Sequence, residues 1–157
     1  MRASIVMMLC AGCGVFGGGA KAMEGTWEGE CDTEDDQGND YNYDVTFDLV
    51  KSGDALEGDG EFDSSIVLTV STTGYGYYVD EFELTGDGDV RAEKASGEWT
   101  IEGHEWEIEV ENVDLGDLNT ADWELVGTQD GSEFTGDVEL DLLGEITVRG
   151  SCDLDQS

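Results

Sequence analysis

Apolar residues recur at every second position through most of this chain, and that period decides what it can fold into. Tyr41, Tyr43, Val45, Phe47 and Leu49 alternate with Asn42, Asp44, Thr46 and Asp48. Further on, Trp106, Ile108 and Val110 alternate with Glu105, Glu107, Glu109 and Glu111. A period of two sends successive side chains to opposite faces of a strand, one apolar and one solvated. No window keeps a helical apolar stripe for three turns. The expectation is an all-β chain of roughly nine or ten short antiparallel strands joined by hairpins. The inward face should collect Trp27, Tyr43, Val45, Phe47, Leu49, Leu56, Phe62, Leu68, Trp106, Ile108, Trp123, Leu125, Phe134, Val138 and Ile146.

The chain has 23 glycines and no proline, so its turns must be built from Gly, Asp, Asn and Ser. Turns are expected at Lys51–Asp54, Thr73–Gly76, Gly86–Gly88, Gly103-His104, Thr128–Ser132 and Leu143-Gly144, with a break at Ser64-Ser65. Asp89–Gly97 is a weakly patterned strand, and Asn112–Thr120 a long polar connection. A meander of this length curls into a barrel or splits into a sandwich. Three features favour a single up-and-down barrel over residues 25–157, with a β-sandwich as the alternative. Cys31 and Cys152, at the first and last strands, would hold the sheet edges together as a disulfide. Gly58, Gly60 and Gly136 inside strands suit the bends of a closing sheet. Closure also removes edges that no proline is present to blunt, which points to a monomer.

The N-terminus reads as export and tether. Arg2, the apolar run Ile5–Leu9 and the small residues after it form a secretory signal, too short to span a bilayer as a helix. Ala11-Gly12-Cys13 resembles the lipobox of bacterial lipoproteins, although Cys10 stands where leucine is usual. The resemblance implies a signal peptide over 1–12, lipidation at Cys13 and a flexible Gly-rich tether over 13–24. Gly14 rather than Asp after the cysteine implies the outer membrane. The competing reading is a cut after Ala20-Lys21-Ala22, which leaves a soluble secreted or periplasmic protein.

The 39 acidic residues against 6 basic ones give a net charge of -33. Nucleic acids and anionic lipid surfaces carry the same sign, so no nucleic-acid partner is expected, and membrane attachment should run through the lipid anchor alone. A cationic partner or a saline medium suits the charge better. The acidic loop Asp32–Asp40 has no EF-hand spacing and reads as solvated. Two thiols in the folded part and a lone His104 do not make a zinc site. No metal or cofactor is expected. His104 reads as an exposed turn residue. No nucleophile elbow, phosphate-binding loop or metalloprotease motif is present.

Gly25-Thr26-Trp27 resembles the G-x-W motif that opens lipocalin-like barrels, and Gly97-Glu98-Trp99 repeats the triplet. In that family a basic residue near the end of the last strand packs over the tryptophan. Arg149 is at a matching place, so the resemblance implies a cation–π contact between Trp27 and Arg149. The functional expectation is a cell-envelope lipoprotein, not an enzyme, that acts as a structural module or binds a small apolar ligand or a partner. The rival is an envelope carbohydrate-active hydrolase using paired carboxylates, which two inward-facing carboxylates in a cleft would favour.

Overall fold

The computed structural model describes residues 22–71, 77–111, 119–142, 144 and 146–157, with 65–71 and 77–82 described as backbone. The expected signal, Cys13, Leu68, the turn at Thr73–Gly76 and most of Asn112–Thr120 lie outside the described side chains. The alternating segments form eight strands: β1 Gly25–Asp35, β2 Asp40–Ser52, β3 Ala55–Ser71, β4 Tyr77–Ala95, β5 Glu98–Val110, β6 Thr120–Asp130, β7 Glu133–Leu142 and β8 Ile146–Gln156. Each pairs antiparallel with the next, and β8 pairs with β1, so the sheet closes into an up-and-down barrel.

Closure is sheared. One rung runs from Asp35 through Val148, Leu140, Trp123, Gly103, Val90, Gly58 and Leu49, and returns to β1 at Gly25. The offset is 35 minus 25, ten residues. Eight tilted strands with such a stagger enclose an interior just wide enough for side chains or one small ligand.

There are fewer strands than the punctuation implies. Ser64-Ser65 and Gly86–Gly88 lie within β3 and β4 rather than at turns. These glycines make room. A Cβ on Gly86 would stand 2.3 Å from the Phe62 ring, and one on Gly88 2.5 Å from Trp106. Gly103-His104 is also not a turn but a bulge in β5, where the register slips between Gly103 and Trp106. The slip moves the inward phase from Trp99 and Ile101 to Trp106 and Ile108. Glu105 there takes a φ of 54°, and its N–H donates to Asp122 Oδ1 at 2.8 Å. The extra residue increases the local twist.

The inward residues whose side chains are described are buried as the period requires, with Ile146 the exception at 37% exposed. It has the right phase but pairs with Leu142 at the last rung of the β7–β8 hairpin, where little lies above it. Met23, Trp27, Leu49, Trp106, Phe134 and Val148 are fully buried.

Carboxylates line the outside in rows. Asp44 faces Asp63, Asp48 faces Asp59, Asp59 faces Asp89, and Glu61 faces Asp87 across the ladders. Like charges directly opposite destabilise a strand pair. Salt screens them, the Debye length falling from about 10 Å at 0.1 M to about 3 Å at 1 M. The melting temperature should therefore rise between dilute buffer and molar salt; a flat or falling profile in a salt series contradicts this.

Candidate functional site

Three places on the barrel are chemically distinctive: its interior, the end where the chain enters, and a groove on the outer wall.

The interior is filled by aromatic side chains. Trp106 stacks on Phe62, with ring centroids 5.9 Å apart and planes 7° from parallel, and meets Trp123 edge-on at 5.2 Å. Tyr43 packs edge-on against Phe62, and Phe47 lies 6.3 Å from Trp123. Glycines cradle Trp106 on three sides. A Cβ on Gly60, Gly88 or Gly103 would come within 2.9, 2.5 or 2.3 Å of the indole. The indole N–H donates to the Asp89 carbonyl at 2.8 Å.

Between these rings and the Cys31–Cys152 disulfide remains a cavity of about 10 Å³, room for about one water. The Tyr43 hydroxyl and the Trp123 indole N–H, both from residues that border it, have no hydrogen-bond partner. Burial raises the Tyr43 pKa, so the phenol stays neutral. Among the described residues the buried polar side chains are Thr33 and Ser64, each donating its hydroxyl to a backbone carbonyl. The inward pair of carboxylates that a hydrolase would place in a cleft is not formed by the described interior.

The two cysteines pair as the sequence implies. Cys31 and Cys152 stand directly opposite on β1 and β8, their Cα atoms 4.1 Å apart, and both side chains are buried. The bond ties the first strand to the last from inside the barrel.

Trp27 and Arg149 do not meet. Arg149 stands opposite Glu34 on β1, and 34 minus 27 is seven residues, roughly 23 Å at 3.3 Å per residue. Its guanidinium lies outside, donating to Glu139 Oε2 at 2.7 Å and reaching Asp36 at 3.6 Å. Trp27 is instead held by Phe134, edge-on at 6.3 Å, and by a hydrogen bond from its indole N–H to the Met23 carbonyl. A cation does cover an indole, but in the second G-x-W triplet. Lys94 Nζ lies 5.3 Å from the centroid of Trp99, its cross-strand partner.

At the entry end the chain is docked before β1 begins. Met23 is fully buried. Gln129 donates to the Ala22 carbonyl at 2.8 Å, and Gln156 donates to the Glu24 carbonyl at 2.7 Å. Residues 22–24 thus belong to the barrel rather than to the tether expected over 13–24. Sequence reading missed this because Ala22 and Met23 carry no alternation.

The outer groove spans β2 to β5 and encloses about 700 Å³. Lys51, Arg91 and His104 line it beside Glu57, Asp59, Asp89 and Glu102, with Val50 58% exposed at its rim. Gly58 permits the close approach of the β2 backbone beneath it; a Cβ there would fall 1.7 Å from the Asp48 carbonyl oxygen. Arg91 reaches Glu57 at 3.6 Å, and His104 lies 3.5 Å from Asp122 and 3.6 Å from Glu102. Arg91 is thus matched by a carboxylate within the groove.

The acidic loop between β1 and β2 spends its central carboxylate on itself. Asp35 accepts from the side-chain and backbone N–H groups of Asn39, from Gln37 N–H and from the Tyr41 hydroxyl. These bonds, the Asn39 side chain first, hold Asp35 at about 2.

No family model, no curated protein and no solved structure matches the chain. What it can do is therefore carried by its own geometry.

Proposed function

We propose that this chain is an exported cell-envelope lipoprotein, held at the membrane by lipid on Cys13, whose barrel is a structural and partner-binding module rather than a ligand carrier. The observation that carries the reading is the filled interior. Among the described residues the cavity beside the disulfide is about 10 Å³ and the charged groups lie outside, which favours meeting a partner on the outer surface. A carrier of drug-sized ligands needs a pocket of about 300 Å³ or more.

The docked entry supports the lipobox cut over the cut after Ala22. Cleavage between Ala22 and Met23 would remove the carbonyl that accepts from Gln129. It would also leave a charged α-ammonium on a residue that is fully buried, and burying an unpaired charge is costly. A cut before Cys13 leaves that contact intact and gives the barrel a tether of nine residues, 13–21.

Mass spectrometry of the mature protein tests this. An acylated Cys13 at the N-terminus is the expected result. An unmodified chain starting at Met23 would overturn the anchor.

A further inference from the structure

Barrel closure removes sheet edges, and that is why a monomer is expected from the sequence. Here closure stops short on one side. β2 pairs with β3 only as far as Ser64, and β5 pairs with β4 only as far as Leu84. Beyond those rungs Ser65–Ser71 pairs only with Tyr77–Glu83 among the described ladders, so the β3 edge is open there, while on the β4 side Glu111 N–H still donates to the Glu83 carbonyl at 3.0 Å and residues 112–118 lie outside the described ones. The result is a two-stranded ribbon running roughly 20 Å past the barrel wall, at about 3.3 Å per residue. It rises from the end opposite the Met23 entry, since β1 begins beside Leu49 and the ribbon begins beyond Tyr43.

The ribbon's sequence is unlike the rest of the chain. Ser64–Val79 is a run of sixteen residues without a charge, in a protein whose net charge is -33. The next longest such run in the barrel sequence, Leu125–Gln129, has five. By the register, one alternation phase carries Ile66, Leu68, Val70, Tyr78 and Phe82 with Asp80, and the other carries Val67, Thr69, Tyr77 and Val79 with Glu81 and Glu83, so it is the Ser65–Ser71 strand that is uncharged on both phases. Strands apolar on both phases are those covered on both faces. Natural exposed edges are blunted by lysine, proline or inward charge, and Ser65–Ser71 has none of these.

We propose that this ribbon pairs through its open Ser65–Ser71 edge with the same edge of a second copy. This deepens the reading of the barrel as a module that works through its outer surface, and it names the partner. A lipid bilayer is a poor occupant, because hydrocarbon cannot satisfy the free N–H and C=O groups of an open edge. The Ser65–Ser71 edge of a second copy supplies both a strand and an uncharged partner in one contact. Charge restricts where two copies can touch. Barrel against barrel would press carboxylate rows together, whereas antiparallel ribbons leave the two walls roughly 20 Å apart, more than twice the Debye length of about 8 Å at 0.15 M ionic strength. Such a contact is two-fold symmetric and closes on itself.

Sedimentation equilibrium of the full oxidised chain in density-matched detergent tests the pairing, compared at 0.15 M and 1 M salt. The expected result is a reversible dimer that tightens with salt. Replacing residues 67–81 by Asn-Gly leaves the Ile66–Phe82 rung closed by a two-residue turn, and this variant should sediment as a monomer with the near-ultraviolet signal of the barrel unchanged. If it fails to fold, the double change Val67→Glu and Thr69→Glu should weaken association by about tenfold or more while keeping the barrel. Three results would overturn the proposal: a wild type that stays monomeric at 100-fold dilution steps up to its solubility limit, a dimer that survives loss of the ribbon, or a monomer that instead binds neutral phosphatidylcholine vesicles through the ribbon. Acylation of Cys13 is read separately by mass, so failure of the anchor and failure of the pairing are distinguishable.

Discussion

Trp106→Ala should destabilise the barrel by about 3–5 kcal/mol, the range for truncating a large buried aromatic. The indole is fully buried, stacks on Phe62, meets Trp123 edge-on and donates to the Asp89 carbonyl. Its loss removes apolar burial and orphans the carbonyl. The site also cannot collapse easily, because the neighbours facing the indole at Gly60, Gly88 and Gly103 are backbone with no side chain to move in. The same geometry run backwards gives a companion result. Gly88→Val puts a Cβ 2.5 Å from the ring and should be destabilising too, as overpacking typically costs about 1–3 kcal/mol. Denaturant titration of both variants at fixed salt measures this. A Trp106→Ala protein within 1 kcal/mol of wild type would mean the interior is not packed as described.

Removing the disulfide should have an effect of similar size. Cys31 and Cys152 are separated by 121 residues, and constraining a loop of that length in the unfolded chain is worth about 5 kcal/mol in the chain-entropy model. The bond also lies across the β1–β8 seam, the only ladder joining the two ends of the described meander. The double variant Cys31→Ser, Cys152→Ser leaves no free thiol in the barrel and should unfold at markedly lower denaturant, with a loss of several kcal/mol. Adding reductant to the wild type should reproduce that loss. A variant as stable as the oxidised wild type would show that the ladder alone closes the barrel.

Much of this architecture is legible in the alternation, because a half-buried strand cannot hide its period. Tyr43 to Leu49, Trp123 to Leu125 and Phe134 to Val138 point inward as read. Glycine misleads. Gly86 and Gly88 look like a turn around Asp87, yet they hold the same phase as Leu84 and Val90 in one strand. The phase was the usable signal; the aromatic partners that need the space are distant in sequence. Gly103-His104 misleads differently, since a bulge and a turn share residue types and only the neighbouring strands tell them apart.

The Trp27–Arg149 expectation conflicts with the disulfide expectation on arithmetic alone. If Cys31 stands opposite Cys152 in antiparallel strands, partner numbers sum to 183, and Trp27 must face residue 156. Two motifs that fit singly are incompatible in one register. The docking of Met23 was not legible, because it depends on Gln129 and Gln156 arriving from two other strands. The ribbon was not legible either, because it is defined by where β2 stops pairing with β3.

The central claim is that the barrel is closed and solid. Titration of the oxidised protein with an apolar fluorescent probe, followed by both probe emission and tryptophan quenching, tests it most directly. The account predicts no saturable binding, and buried-tryptophan emission that stays unchanged up to the probe's solubility. One-to-one saturable binding that quenches the core tryptophans would contradict it, and would mean that Trp106, Trp123 and Phe62 part to form a ligand pocket.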